Sequence, residues 1–250
     1  MNHHTQNHYK NIANIYDNLW SYSPEYIQFT TKKIIEYLHL TTTDVLVDIG
    51  CGTGIYSKEI LNQMQLEKPI ICVDPAAEML AKIPDNEKLK PVEMDGLDFS
   101  QKPGIYNKIF LKEAIHHIEQ KSLLFHNLWQ RLTPGGIFLL LLLPPTIDYP
   151  LFDKALRLYE KTQPHYQEMT NLLEQVGFVV DVNIVEYPLE LLKVQYFQMV
   201  KNRYMSLLSR FNDAELAAGL KEMEEKYENE SILEFSDRMV FITATKPQYS

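Results

Sequence analysis

Val47-Asp48-Ile49-Gly50-Cys51-Gly52-Thr53-Gly54 is the stretch on which the reading of this chain turns. Residues 45–49 form a short apolar run that ends in a glycine cluster, the pattern of a buried strand. Residues 55–66 then predict a helix, so the glycines occupy a strand-to-helix turn. Glycines in such a turn let the backbone bend sharply and let a ligand approach the main chain with no Cβ in the way. The dinucleotide fingerprint G-x-G-x-x-G fails, because its sixth position is Ile55 when counted from Gly50 and Ser57 when counted from Gly52. What stands here is acid-x-Gly-x-Gly-x-Gly.

Outward from this turn, strands and helices alternate. Upstream, Ser23-Pro24-Glu25 is a helix start, with an N-cap serine and a proline in the first turn, leading into a helix over 26–39. Downstream, strands are expected at 70–73, 91–94, 105–111 and 137–143, with helices at 75–83 and 121–132. The strands are continuous apolar runs, as burial on both faces of a parallel sheet requires. After Pro144-Pro145 the rhythm loosens into helices at 150–162 and 165–176, a strand at 178–187, helices at 189–211 and 213–227, and a last strand at 239–245. The segment 189–235 interrupts two strands with about forty-five residues of helix. It reads either as a lid over a ligand crevice or as packing.

Composition narrows the classes. The 250 residues are 45% hydrophobic and 23% charged, an ordinary globular balance with room for a sizeable core. Thirty-three acids against twenty-four bases give a net charge of −9, and no basic cluster offsets it. Such a chain is a poor partner for nucleic acid or an anionic membrane. The longest apolar run, Ile137 to Leu143, has seven residues, too few to span a bilayer. Two cysteines, Cys51 and Cys72, cannot build a disulfide framework, and the N-terminus lacks an apolar signal core. The expectation is one soluble, cytoplasmic domain: N-terminal cap helices over 1–40, a ligand-binding core over 41–145, and a cap with the final strands over 146–250.

Two further acids stand at strand ends. Asp74 lies twenty residues past Gly54, directly after the strand at 70–73, where a carboxylate can accept hydrogen bonds from the vicinal hydroxyls of a ribose. Asp95 follows the strand at 91–94, placed to accept from an exocyclic amine such as that of adenine. Aspartates at such positions also cap helices. Three acids at successive strand ends beside a triple-glycine turn favour ligand binding over capping alone.

The segment Val47 to Gly54 resembles the first motif of the class I S-adenosylmethionine-dependent methyltransferases. The resemblance continues in order through Val73-Asp74, Met94-Asp95-Gly96, Phe110-Leu111-Lys112-Glu113-Ala114-Ile115-His116-His117 and Leu132-Thr133-Pro134-Gly135-Gly136. It implies a Rossmann-like α/β fold: a seven-stranded, mostly parallel sheet whose last strand runs antiparallel between two others, helices on both faces and a helical cap insertion. It implies S-adenosylmethionine as cofactor, S-adenosylhomocysteine as product and no metal. It further implies that Asp48, Gly50, Cys51, Gly52 and Gly54 bind the cofactor, with the loop at Gly50 to Gly52 against its methionine part. Asp74 would hold the ribose, Asp95 and Gly96 the adenine, and Lys112 with Glu113 would approach the aminocarboxypropyl or sulfonium end.

The acceptor is less legible. Methyl transfer from a sulfonium is an in-line displacement, so alignment is the main task, and a base is needed only where the acceptor must lose a proton. The loop Lys112 to Ile118 also resembles that of phosphoethanolamine methyltransferases. There the histidine matching His117 pairs with an N-terminal tyrosine, a place that Tyr16 would fill here. His117 and Tyr16 are therefore the candidate chemical residues, with His116 behind them; the alternative is that the His-His pair only caps its loop. The acceptor is expected to be a small molecule. A protein substrate, or a regulatory protein that binds the cofactor without transferring methyl, are the alternatives. Tyr196 to Met205 carry an aromatic and methionine stripe that reads as core or as an apolar pocket wall; Arg203 and Arg210 read as a solvated or salt-bridged face, with an anion clamp at one of them as the alternative. His165 and Tyr166 are placed to line the same cleft. Cys51 reads as a small loop residue rather than a nucleophile, and Lys221 to Lys226 as a solvated helix face. Glu113 alone is too little for a catechol-type metal site, and His3, His4 and His8 suggest no catalytic metal.

Overall fold

The structure, a computed structural model, describes residues 23–248. Tyr16, His3, His4 and His8 lie outside the described residues. Seven strands form one sheet in the order β3-β2-β1-β4-β5-β7-β6. They are β1 (Leu46–Ile49), β2 (Ile70–Asp74), β3 (Leu89–Glu93), β4 (Tyr106–Lys112), β5 (Leu132–Leu142), β6 (Val179–Leu192) and β7 (Ile232–Thr245). β1 to β5 pair in parallel, and β7 runs antiparallel between β5 and β6. The expected sheet is therefore the observed one, including its reversed strand.

Side-chain alternation along the central strands divides the core into two layers. Phe110, Leu139 and Leu141 face one side with Ile34 and Leu38 of α1 (Pro24–Leu38) and Ile60 of α2 (Ile55–Gln63). Ile109, Leu111, Leu140 and Leu142 face the other. That second side is covered by α4 (Gly96–Gln101), α5 (Lys121–Arg131) and α7 (Tyr166–Val176), reached through Phe99, Phe125 and Leu173. A single turn, α3 (Ala77–Leu80), follows β2. α1 begins as the sequence predicts, with the Tyr26 N–H donating to Ser23 Oγ at 3.1 Å and Pro24 in its first turn.

Three expectations are corrected. First, the short helix α4 was not foreseen between β3 and β4; Asp95 caps it, accepting from the Leu97 N–H at 2.9 Å. Second, β5 opens at Leu132 rather than 137. Its pairing with β4 shifts between Tyr106 and Lys108, where Thr133-Pro134-Gly135-Gly136 bulges. Third, residues 189–192 are strand, not helix, and β7 begins at Ile232 rather than 239. Leu189, Leu191, Leu233 and Phe235 alternate with glutamates and polar residues at period two, and the ladder runs unbroken from Val179↔Thr245 to Leu192↔Ile232. The leucine-rich run suggested a helix only because its antiparallel partner lies forty residues away.

The insertion is accordingly 193–231, carried at the tip of a two-stranded ribbon and closed by the Lys193 N–H donating to Ser231 O at 2.9 Å. It contains α8 (Lys193–Lys201), a 3₁₀ turn at Ser206–Arg210 and α9 (Asp213–Lys226). Together with α6 (Asp153–Thr162) these pack on the same side of the sheet as α1 and α2. No helix among the described residues is long and apolar enough to cross a membrane.

Candidate active site

A cavity of about 630 Å³ opens at the carboxyl ends of β1, β2 and β4, where open α/β sheets bind ligands. Its floor is the glycine turn. Gly50, Gly52 and Gly54 all have positive φ (74°, 56° and 73°), which side-chain-bearing residues rarely adopt. At Gly50 a Cβ would also stand 2.6 Å from Ala114 Cβ, so the turn and the β4 loop can meet only through glycine. The Gly50 and Cys51 N–H groups donate to Val73 O, which ties the turn to the end of β2.

The acids are held by this framework. Asp74 is buried and both of its oxygens are engaged: the Gly52 N–H donates to Oδ2 at 2.9 Å and the Ala76 N–H to Oδ1 at 2.8 Å. Burial nevertheless pushes its pKa up. Asp48 accepts from Ser57 Oγ at 2.7 Å; burial raises its pKa to about 7 against that hydrogen bond, with Asp74 adding like-charge repulsion. Glu113 stands at the end of β4 with φ +54°, a strained backbone for its residue type. The Leu143 N–H donates to its Oε1 at 2.7 Å, and burial lifts this carboxyl to about 7 as well.

Asp48, Gly50, Cys51, Gly52, Asp74, Asp95, Lys112, Glu113, His116 and His117 all line this one cavity, whereas Gly54 and Gly96 do not. Those two shape the site from behind, Gly54 at the start of α2 and Gly96 where a Cβ would come 2.7 Å from Ile49 Cγ2. The His116 and His117 rings lie 3.9 Å apart. Burial, reinforced by Lys121 and Arg210, lowers His116 to about 4, so it stays neutral across the physiological range and does not titrate near neutrality as expected of a histidine in this loop.

The roof comes from the second half of the chain: Tyr159, Thr162 and Gln163 at the end of α6, and Met205, Ser206, Leu207, Ser209 and Arg210 from the insertion. The insertion is thus a roof over the cavity as well as packing. Its aromatic stripe is core: Tyr196, Met199 and Val200 are buried, and the Tyr196 and Tyr204 hydroxyls pair at 3.0 Å. Arg203 is not the clamp, because it donates to Asp213 Oδ1 at 2.7 Å and Phe211 O at 3.2 Å; Arg210 is the arginine that reaches the cavity. His165 and Tyr166 do not line the cleft; His165 precedes α7 and Tyr166 packs on the opposite core layer. Lys221 and Glu225 sit on an exposed helix face, as read.

Three features escaped the sequence reading. Tyr56 lines the cavity from α2, under the Lys112 ammonium. Tyr159 does so from α6, whose apolar side is sharply segregated, the one signal available for it. Asp237 is buried in β7 and accepts from the hydroxyls of both Tyr26 and Tyr149, joining α1 and the segment before α6 to the ribbon. Nothing in Ser236-Asp237-Arg238 distinguishes that aspartate from a surface one. Among the described residues no group of three His, Cys, Asp or Glu could hold a metal ion.

The cavity wall suits a cationic nucleoside. Carboxylates at the ends of β1, β2, β3 and β4 face it, and a cation entering would lower the pKa of the two held near 7 by burial. Residues 47–138 match the family described as a methyltransferase domain. A malonyl-[acyl-carrier protein] O-methyltransferase of Ilyobacter polytropus is 33% identical over 98 residues, covering 38% of this chain and 37% of that protein. A phosphoethanolamine N-methyltransferase of Haemonchus contortus, solved with phosphomonomethylethanolamine and S-adenosylhomocysteine, aligns with a TM-score of 0.57 at 17% identity, over 88% of this chain and 53% of that one. An Anabaena variabilis protein described as a methyltransferase of an antibiotic biosynthesis pathway aligns with a TM-score of 0.65 at 18% identity, over 87% and 96%. The matched length is thus little more than a third of the curated relative and about half of the H. contortus enzyme. The two structures establish the fold.

Proposed function

We propose that this chain is a class I S-adenosylmethionine-dependent methyltransferase and that it transfers the methyl group of that cofactor to a small organic acceptor held between the sheet edge and the roof. One observation carries the reading: the glycine turn and its acids open into the same cavity as Lys112, Glu113, His117 and the insertion. A single chamber with two chemically different walls is what in-line transfer between two ligands needs. Two of these relatives act on small groups, one on a malonyl group borne by a carrier protein and one on a phosphoethanolamine.

In this reading residues 41–145 are the cofactor-binding core, and the roof from 146 onward selects the acceptor. The Gly50 to Gly52 turn and Asp48 lie along the methionine moiety of the cofactor, Asp74 holds the ribose hydroxyls, and Asp95 with the Gly96-Leu97 backbone holds the adenine. Glu113 faces the cationic end. The bound cofactor supplies an electrophilic methyl group on a sulfonium. The chain's own work is to orient, to exclude water beneath the roof and, where the acceptor bears a proton, to receive it at His117, with Tyr16 as the candidate gate beyond it.

Calorimetric titration of S-adenosylmethionine and S-adenosylhomocysteine into wild type and Asp74→Ala tests the cofactor half. Micromolar binding that collapses in the variant is expected. Wild type that binds neither molecule sinks the proposal. A panel of acids, amines and alcohols, scored by S-adenosylhomocysteine release, then tests the acceptor half.

A further inference from the structure

Lys112 ends β4 and lines the cavity, with its ammonium 4.9 Å from the centre of the Tyr56 ring. Against the cost of burial, Tyr56 favours its charge most, through a side-chain hydrogen bond as well, and the carboxylates of Glu113, Asp237 and Asp48 add to it. Among the described residues none of these carboxylates comes within ion-pairing distance of Nζ, and each is committed elsewhere. Asp48 accepts from Ser57, Glu113 from the Leu143 N–H, and Asp237 from Tyr26 and Tyr149. The fold therefore keeps a lysine charged inside a ligand chamber without giving it an ion-pair partner. A desolvated cation so placed favours an anion supplied by a ligand.

Two ligands could supply it under the function proposed above, on which this inference rests. The methyl donor brings a positive sulfonium, which the carboxylates of the floor complement, and a carboxylate of its own, whose contact with Lys112 would show as a parallel loss of both ligands in a Lys112 variant. An amine acceptor attacks as the free base and takes over the positive charge that the sulfonium gives up, so it brings no anion to Lys112 at any stage. An oxyanion acceptor does. We propose that Lys112 is the acceptor-binding cation of this site and that the acceptor is an organic acid, which presents a carboxylate oxygen to it. In the transfer, a lone pair of that oxygen forms the new O–C bond as the C–S bond breaks and its electron pair stays on sulfur. Anion and sulfonium become a neutral ester and a neutral thioether, and no proton has to leave. Because the ammonium favours the anion before reaction more than after it, Lys112 acts on binding and orientation rather than on the barrier. Arg210, across the cavity on the roof and without an ion-pair partner among the described residues, is placed to receive a second acidic group.

The test uses two probes of matched size, phenylacetate and phenethylamine, titrated calorimetrically into protein saturated with S-adenosylhomocysteine. Phenylacetate should bind at least about tenfold more tightly than phenethylamine, the scale of one charge-assisted contact. Lys112→Met should weaken phenylacetate by about tenfold more than it weakens S-adenosylhomocysteine, whose retained binding reports a folded site. Lys112→Arg should restore most of the preference. Equal binding of the two probes, no phenylacetate binding at about 10 mM, or an unchanged phenylacetate affinity in Lys112→Met each overturns the proposal. So does a parallel loss of both ligands, which would assign Lys112 to the carboxylate of the cofactor. If wild type binds no S-adenosylhomocysteine, the proposed function falls and this inference with it; if it binds that molecule but not the acid, this inference alone falls.

Discussion

Asp74 and Arg210 face one cavity from opposite sides, and the two sides are built by different means. On the floor, the ligand-facing groups belong to strand ends and a glycine turn, fixed by backbone hydrogen bonds between the ends of the two neighbouring strands β1 and β2: Gly52 and Ala76 N–H to Asp74, Gly50 and Cys51 N–H to Val73. On the roof, Tyr159, Met205 and Arg210 are delivered by α6 and the insertion, and their placement depends on contacts between distant segments. The Asp237 carboxylate, gathering Tyr26 and Tyr149, is the clearest of these. The floor is a local geometry and the roof a tertiary one. Damage to each should therefore read out differently.

The largest effect is expected at Asp237. Asp237→Ala leaves two buried tyrosine hydroxyls without their acceptor and should cost about 3 kcal/mol of stability. In a chain of this size that lowers Tm by about 6–12 °C in a thermal melt. If the roof is held separately from the floor, S-adenosylhomocysteine affinity at 20 °C should fall much less than stability does; a parallel collapse would break the comparison.

Next comes Asp74→Ala, which frees the Gly52 N–H as well as the ligand hydroxyls. A loss of about 100-fold in S-adenosylhomocysteine affinity by calorimetry, near 2.7 kcal/mol, should accompany a lower Tm, because the Ala76 N–H loses its acceptor too. A change below threefold would remove Asp74 from the binding floor.

pH offers a third test. Asp48 and Glu113 have native pKa values near 7, above the unfolded carboxyl range near 4. For an acid whose folded pKa is raised, the unfolded chain releases its proton first as pH increases. Stability is full below about pH 4 and is lost as pH rises through about 7. The ligand-free protein should thus lose roughly 2 kcal/mol between pH 6 and 7, seen as a Tm lower by about 4–8 °C. Asp48→Asn should flatten part of that slope, and an unchanged slope would show that Asp48 titrates normally.

The smallest effects distinguish two arginines of the roof. Arg203→Ala breaks a largely exposed ion pair and should cost no more than about 1 kcal/mol of stability, with no change in acid-probe binding. Arg210→Ala should leave Tm within about 1 °C yet weaken a dicarboxylate such as malonate by roughly threefold to tenfold. Identical behaviour of the two variants would erase the distinction drawn between them.

The same division explains what could be read before folding. The parallel strands and the glycine turn with Asp48, Asp74 and Asp95 were legible because short-range rules govern them: apolar runs of strand length, glycine where φ is positive, an acid at each strand end; the reversed strand came from the family resemblance alone. Asp95 proved to be helix cap and cavity wall at once, so the two readings offered for it were not rivals. The ribbon was misread at Leu189 to Leu192, since a strand whose partner lies forty residues away carries no local mark beyond an alternation that leucines blur. Arg203 and Arg210 look alike in sequence, and only the position of Asp213 decides which is spent. Asp237 was invisible because its burial comes from α1 and Tyr149, at the far end of the chain.

The β6–β7 ribbon has one more consequence. The polypeptide departs at Leu192 and returns at Ile232, residues that face each other across the last rung of a ladder fourteen rungs deep. The chain between those two points enters and leaves through a single doorway, while its Tyr196, Leu208 and Phe211 fill the core beside α6. A roof of another length or sequence joined at that doorway would leave the path of the floor unchanged but would have to refill that core.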